Sequence, residues 1–400
     1  MSEEFSVTFK SGGCSNCNNC GLCGKKTNEN LSVVTDSAVS KKEAVLSAFD
    51  VKTVAAIDLG TTTIAMFLLD AKTGEQIGVY TGLNPQALKG TDVISRISHA
   101  MAGEQAKLQM MIVEALENGI EKLISGKPKP DLVVVSGNTV MGHLLMGYDV
   151  SKLGVYPFIP VSILKQETKL CGIKTILMPG ISAFVGGDIV SGLYTLDFIK
   201  KDKPALLIDL GTNAEMVLGC KERMIATSAA AGPAFEQKYY ATRLISSVAG
   251  LLREGIMDEN GTLNDEYFES GITIERTLIT QKDIRSLQEA KAGVLSGILI
   301  LAKEYHIRLD EINEVLIAGG LGYYLDLEDA FTIGLLPKQF RGKVKVVGNT
   351  SLEGAVKYAA AVSSSEEADR ILSDVIGKTK EINLAEYEGF QEIYIAGLNF

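Results

Sequence analysis

The chain has 400 residues, 46% of them hydrophobic and 22% charged, with a formal net charge of −10. That balance is ordinary for a globular protein and leaves material for two domains with a large core. The acidic excess excludes a general nucleic-acid binder, which needs a basic stripe, and the short basic runs at 127–130 and 200–204 read as solvated turns. The opening MSEEFSVTF lacks the basic and then apolar stretches of a signal peptide. The most apolar helical run, 293–302, is far shorter than the roughly 20 residues of a membrane span. A cytoplasmic protein without membrane contact is expected.

Residues 1–26 form a cysteine-rich arm in which CSNCNNCGLCG places Cys14, Cys17, Cys20 and Cys23 three residues apart. In a reducing compartment such a cluster points to metal ligands rather than disulfides. Structural zinc sites usually separate their CxxC pairs by a dozen or more residues, whereas here only Asn18 and Asn19 intervene. The tight run suits an iron–sulfur cluster, with the 4Fe–4S type preferred and zinc as the alternative. Cys171 and Cys220 are isolated and read as small buried hydrophobes. Residues 27–52 are polar and then weakly amphipathic, a linker.

From Thr53 short apolar β-type runs alternate with helix-period stretches, which indicates α/β layering. Helices are expected over 104–124, 281–305 and 351–362. In the second, Ile284, Leu287, Ala290, Val294 and Ile298 recur at helical spacing. The boundaries expected are 53–202 for a first domain, 203–350 for a second, and 351–400 for a C-terminal helix and tail packing back on the first.

VAAIDLGTTTIAMFLLD at 54–70 returns as ALLIDLGTNAEMVLG at 205–219. Each copy reads as strand, tight glycine turn, strand. The glycine brings backbone close to a ligand, successive N–H groups and hydroxyls offer donors to phosphate, and the aspartate can hold Mg²⁺ through water. A third segment, EVLIAGGLG at 314–322, ends a buried strand in paired glycines. A fourth, DLVVVSGNT at 131–139, ends a strand in small polar residues.

Two DLGT hairpins followed by an AGG strand resemble the phosphate-1, phosphate-2 and adenosine motifs of the acetate kinase, sugar kinase, heat-shock chaperone and actin superfamily. The resemblance implies two facing RNase-H-like domains with MgATP in the cleft. NPQALKGTDVISRI at 84–97, SGNTVMGHLL at 136–145, PGISAFVGGDI at 179–189, AAAGPAFE at 229–236, TQKDIRSLQEAKAG at 280–293 and IGLLP with VGNTSLEGA within 333–355 are similar, more narrowly, to the ATPase part of the reductive activators of corrinoid proteins.

That likeness covers residues 53–400. It implies an ATPase coupled to electron transfer, restoring Co(I) from Co(II) on a corrinoid protein. Asp58, Gly60, Thr61 and Thr62 would serve phosphate and Mg²⁺ on one side, and Asp209, Gly211, Thr212 and Asn213 on the other. Gly319, Gly320 and Gly322 would bracket the adenosine. Asp188 and Asn138 would orient water or metal at the γ-phosphate, and Lys291 would reach the adenosine side. The implied partners are a corrinoid protein or another low-potential metalloprotein as acceptor and a ferredoxin or reductase as donor, with a homodimer left open. Members of this family typically begin with a ferredoxin domain and a middle region; about 50 residues stand here in place of both. After AGPAFE the chain continues QKYYATRLISS where a glycine-rich segment is usual. Activators of 2-hydroxyacyl-CoA dehydratases, or a small-molecule kinase with a zinc-stabilised arm, are the alternatives.

Overall fold

A computed structural model describes residues 51–90, 92–235, 238–361 and 365–400. The four clustered cysteines and nearly all of the linker lie outside the described residues.

Two six-stranded sheets carry the chain. The first is built from β1 (Thr53–Leu59), β2 (Thr63–Asp70), β3 (Gln76–Leu83), β4 (Leu132–Gly137), β5 (Gln166–Leu170) and β6 (Ile173–Leu177) in the order β3-β2-β1-β4-β6-β5. The second is built from β7 (Ala205–Leu210), β8 (Asn213–Gly219) and β9 (Met224–Ala230), then β12 (Glu314–Ala318), β13 (Val344–Gly348) and β14 (Thr379–Glu381), in the order β13-β12-β7-β8-β9-β14. A small hairpin, β10 (Ile272–Ile274) and β11 (Thr277–Ile279), stands apart. Each sheet contains an antiparallel three-strand meander, then a parallel strand beside its first strand, then a further parallel strand. The repeat seen in the sequence is thus a repeat of topology, with β1 answering to β7 and β4 to β12.

The central strands are covered on both faces. Every residue of β4 is buried, as its continuous apolar run requires. In β1 the faces separate by alternation: Ala55, Ile57 and Leu59 join a core with helix Gln105–Leu123, while Val54 and Ala56 face the opposite layer. That helix buries Leu108, Ile112, Leu116 and Ile120, one stripe at four-residue spacing. Helix Gln281–Tyr305 covers the outer face of the second sheet, and a capping box of Thr280 and Asp283 starts it. Among the described residues no helix is long and apolar enough to cross a membrane.

Between the sheets lie helices Gly187–Thr195, Thr350–Ala361 and Ser365–Lys378, in one core with residues of both. Helix Thr350–Ala361 follows β13 of the second sheet but lies against β1 and β4 of the first. Two glycines let it approach helix Gly187–Thr195. A Cβ on Gly354 would collide with the Ser191 carbonyl oxygen, and one on Gly192 would sit 2.9 Å from Thr350 Oγ1. The chain end, Phe390–Ala396 and beyond, lies on helix Gln281–Tyr305.

Gly354→Ala is therefore expected to destabilise by about 2 kcal/mol through overpacking against backbone. Gly250→Ala, whose Cβ meets nothing within 4 Å, should stabilise its helix by about 0.5 kcal/mol. Urea titrations check the pair, and equal effects at the two sites would contradict the packing described.

Candidate functional site

The loops at the carboxyl ends of β1, β4, β7 and β12 carry the repeated motifs. In the first hairpin the Gly60 N–H donates to the Thr63 carbonyl at 3.1 Å. In the second the Gly211 N–H donates to the Asn213 carbonyl at 2.9 Å, and the turn is one residue shorter. Asp58 and Asp209 end their strands at matching places. Asp58 lies across from Ser136 of β4, and Asp209 across from Ala318 of β12.

Two asparagines hold the first hairpin. Asn138 caps helix Thr139–Met146 by accepting from the Met141 N–H, and its Nδ2 donates to Thr61 Oγ1 at 3.0 Å. Asn349 accepts from the Leu352 N–H in the same way, and its Nδ2 donates to Asp58 Oδ2 at 2.8 Å. Ser351 Oγ donates to Asp58 Oδ1 at 2.7 Å. The hydroxyls of Ser351 and Ser136 lie 3.0 Å apart, and those of Ser136 and Ser191 2.9 Å. Both asparagines sit in a Gly–Asn–Thr triplet after a strand. That repeated triplet is the sequence signal for Asn349 and Ser351, which none of the phosphate motifs includes.

The glycines draw the remaining segments in. A Cβ on Gly319, whose φ is +83°, would lie 2.5 Å from Asp209 Oδ1, so the AGG turn rests directly on the second hairpin's aspartate. A Cβ on Gly186 would meet the Thr139 nitrogen at 2.5 Å, which seats Asp188 beside the Asn138 cap. Asp188 lies in the first turn of helix Gly187–Thr195, where the helix dipole favours an anion.

The carboxylates repel one another. Asp188 is half-buried, and burial first, with the charges of Asp209 and Asp58 adding to it, raises its pKa to about 7. Glu215, which no motif marks in the sequence, is placed by β8 directly opposite Asp209. Burial, then Asp188 and Asp209, push its pKa well above the usual carboxylate range. Like charges directly opposite on paired strands are destabilising. In the first hairpin the residue opposite Asp58 is Ala65, so the acidic pair belongs to the second copy alone.

A divalent cation suits this set. Among the described residues no three potential ligands converge closely enough for direct ligation. Mg²⁺, which keeps several waters and needs few direct carboxylates, fits such a spread arrangement.

Lys291 stands apart from the cluster. It is buried, its ammonium donates to the Asn399 carbonyl and lies 5.2 Å from the Phe400 ring, and burial lowers its pKa to about 8. Gly320 and Gly322 lie in the short helical turn Gly319–Gly322 after β12.

Residues 53–201 match the family model described as the RACo middle region, and residues 203–242 and 241–400 match the C-terminal ASKHA domain of RACo. This corrects the expectation that some 50 residues replace the middle region, which is present as residues 53–201. The corrinoid activation enzyme RamQ of Eubacterium limosum is 29% identical, over 86% of this chain and 70% of its own. A Co(II) methylated amine-specific corrinoid protein reductase of Methanosarcina barkeri is 25% identical, over 86% of this chain and 76% of its own. A solved reductive activator for corrinoid, iron–sulfur protein superposes with a TM-score of 0.77 at 28% identity, over 88% of this chain and 67% of that one.

The raised pKa of Asp188 sets a pH dependence. Between about pH 4 and about pH 7 the folded chain holds a proton there that the unfolded chain releases, so stability falls as pH rises through that window. Asp188→Asn is expected to be about 1 to 2 kcal/mol more stable than wild type at pH 8, without Mg²⁺ or nucleotide, and little changed at pH 4. Urea midpoints at the two pH values measure this, and a variant no more stable at pH 8 would contradict the repulsion.

Proposed function

The chain belongs to the RACo family, and on that premise we propose that it is an ATP-driven activator that reduces a corrinoid protein from Co(II) to Co(I). The observation that carries the reading is the junction at Asp58. A strand-end carboxylate of the first phosphate hairpin is held by Asn349 and Ser351, which directly follow β13 of the second sheet. A ligand gripped by both hairpins changes the relation of the two sheets, and a ligand shifts an equilibrium only through such differential contacts.

In this reading the backbone amides of the two turns and the hydroxyls of Thr61, Thr62 and Thr212 donate to phosphate oxygens. Gly60, Gly211 and Asn213 shape those turns. Asp58, Asp209, Asp188 and Glu215 would hold a hydrated Mg²⁺, which neutralises phosphate charge when bound. Gly319, Gly320 and Gly322 allow the adenosine to approach the backbone. Asp188, at the start of helix Gly187–Thr195, would orient the attacking water or the metal at the γ-phosphate. Asn138 keeps the Thr61 hydroxyl oriented. ATP and water give ADP and phosphate, and one electron passes from a ferredoxin or reductase to cobalt. Cys14, Cys17, Cys20 and Cys23 would hold an iron–sulfur cluster of the 4Fe–4S type, which supplies one-electron redox chemistry when bound.

The test is anoxic. The full chain, reconstituted with iron and sulfide, is mixed with a Co(II) corrinoid protein, a low-potential reductant and MgATP, and the cobalt bands are followed. Reduction to Co(I) is expected only with ATP, and Asp209→Asn should lower its rate by about a hundredfold or more. The double change Cys17→Ser, Cys20→Ser should abolish reduction while leaving ATP hydrolysis within about twofold, since separate sites act additively. Reduction at the same rate without ATP would sink the proposal.

A further inference from the structure

Arg96 lies outside every role described so far. It sits in helix Val93–His99 with no solvent-exposed surface. Its Nε donates to the Gly90 carbonyl at 3.1 Å, and Nη1 to Gln86 Oε1 at 3.2 Å and Met141 Sδ at 3.0 Å. Its Nη2 donates to the carbonyl of Thr61, inside the first phosphate turn. Every one of these acceptors is neutral. The acidic neighbour, Asp92, spends its oxygens on the N–H and hydroxyl of Ser95, where it caps the same helix.

A buried guanidinium bonded only to neutral acceptors is costly, and the nearby charge of Asp92 offsets only part of that cost. Burial lowers its pKa only to about 10, so the charge persists at neutral pH. The same segment sends a second buried side chain to the turn: Asn84, 1% exposed, donates from Nδ2 to the Gly60 carbonyl at 2.9 Å. Its N–H donates to the Thr62 carbonyl at 2.9 Å. Three successive carbonyls of the turn, at residues 60, 61 and 62, are therefore occupied from behind by residues 84 and 96.

The peptide plane decides what this does. In a trans peptide the N–H points opposite to the C=O. With the Thr61 carbonyl drawn toward the guanidinium, the Thr62 N–H faces the other way. A charge-assisted bond at the oxygen also polarises the peptide and strengthens that N–H as a donor. We infer that Arg96 is a positioning residue for nucleotide: it fixes the Thr61–Thr62 peptide and places a buried positive charge behind the first phosphate turn, without touching the ligand. The inference rests on the ATP reading above.

The test uses the full chain and compares MgATP with adenosine, which lacks phosphate, by isothermal titration and by competition against a fluorescent nucleotide. Arg96→Met should weaken MgATP binding about 30-fold, the effect of losing one charge-assisted interaction, and leave adenosine within about twofold. Arg96→Lys, which keeps the charge but not the planar fork, should lose about fivefold for MgATP. Ile112→Ala, a core change on the outer helix away from the turn, serves as the stability-matched control and should leave MgATP affinity unchanged. Unchanged MgATP affinity in both Arg96 variants, or equal losses for MgATP and adenosine, overturns the positioning role. If Arg96→Met does not fold, the Lys variant decides by the same comparison. A wild-type chain that binds no MgATP overturns the nucleotide reading and this inference with it. One that binds MgATP while the Arg96 variants match it overturns the inference alone.

Discussion

The carboxylate of Asp58 is a polar junction between the two halves of the described chain. It accepts from Asn349 and Ser351, 291 and 293 residues later in the chain. Those donors stand at the start of a helix that leaves the second sheet and lies against the first. The helix can reach that place only because Gly354 and Gly192 bring it against helix Gly187–Thr195. That second helix opens with Asp188. One packing constraint between two helices therefore sets the separation of the Asp58 junction and the acidic cluster together.

The cluster is held against its own repulsion. Asp209 and Glu215 face each other across a strand pair, and Asp188 adds a third acidic group with a pKa raised to about 7. A core built for stability alone would place neutral residues here, as the first hairpin does with Ala65. The local conflict is what the proposed Mg²⁺ would relieve. In the proposed ATP site the two glycine turns carry the opposite electrostatics: their amides and hydroxyls would face phosphate, and the buried Arg96 guanidinium stands behind the first. Acid on one side and donors on the other make an arrangement suited to a metal-bound polyphosphate.

Much of this was legible in the sequence. The two hairpins were visible because the same Asp–Leu–Gly–Thr recurs between apolar runs, and the sheets repeat the same strand order. The helix at 281–305 follows its apolar spacing residue for residue. What escaped depends on partners far along the chain. Asn349 looks like an ordinary helix cap until the fold carries its amide to Asp58. Glu215 looks like one polar residue near the start of an apolar strand until the shorter turn sets it opposite Asp209. Arg96 lies inside the segment 84–97 that resembles the family, but nothing there marked its role, since a helix arginine is normally solvated and only tertiary packing removes its water. The cysteine arm was the plainest motif in the sequence, and it lies outside the described residues.

The central claim is that both hairpins act on one nucleotide as a unit. The direct measurement is the MgATP affinity of Asp58→Asn, Asp209→Asn and the double variant, taken by titration calorimetry on the full chain. If both aspartates serve one closed site, the double variant loses little more than the worse single variant, because the first change already prevents joint grip. Losses that simply add, or an Asp58→Asn variant that binds MgATP as wild type does, would contradict it.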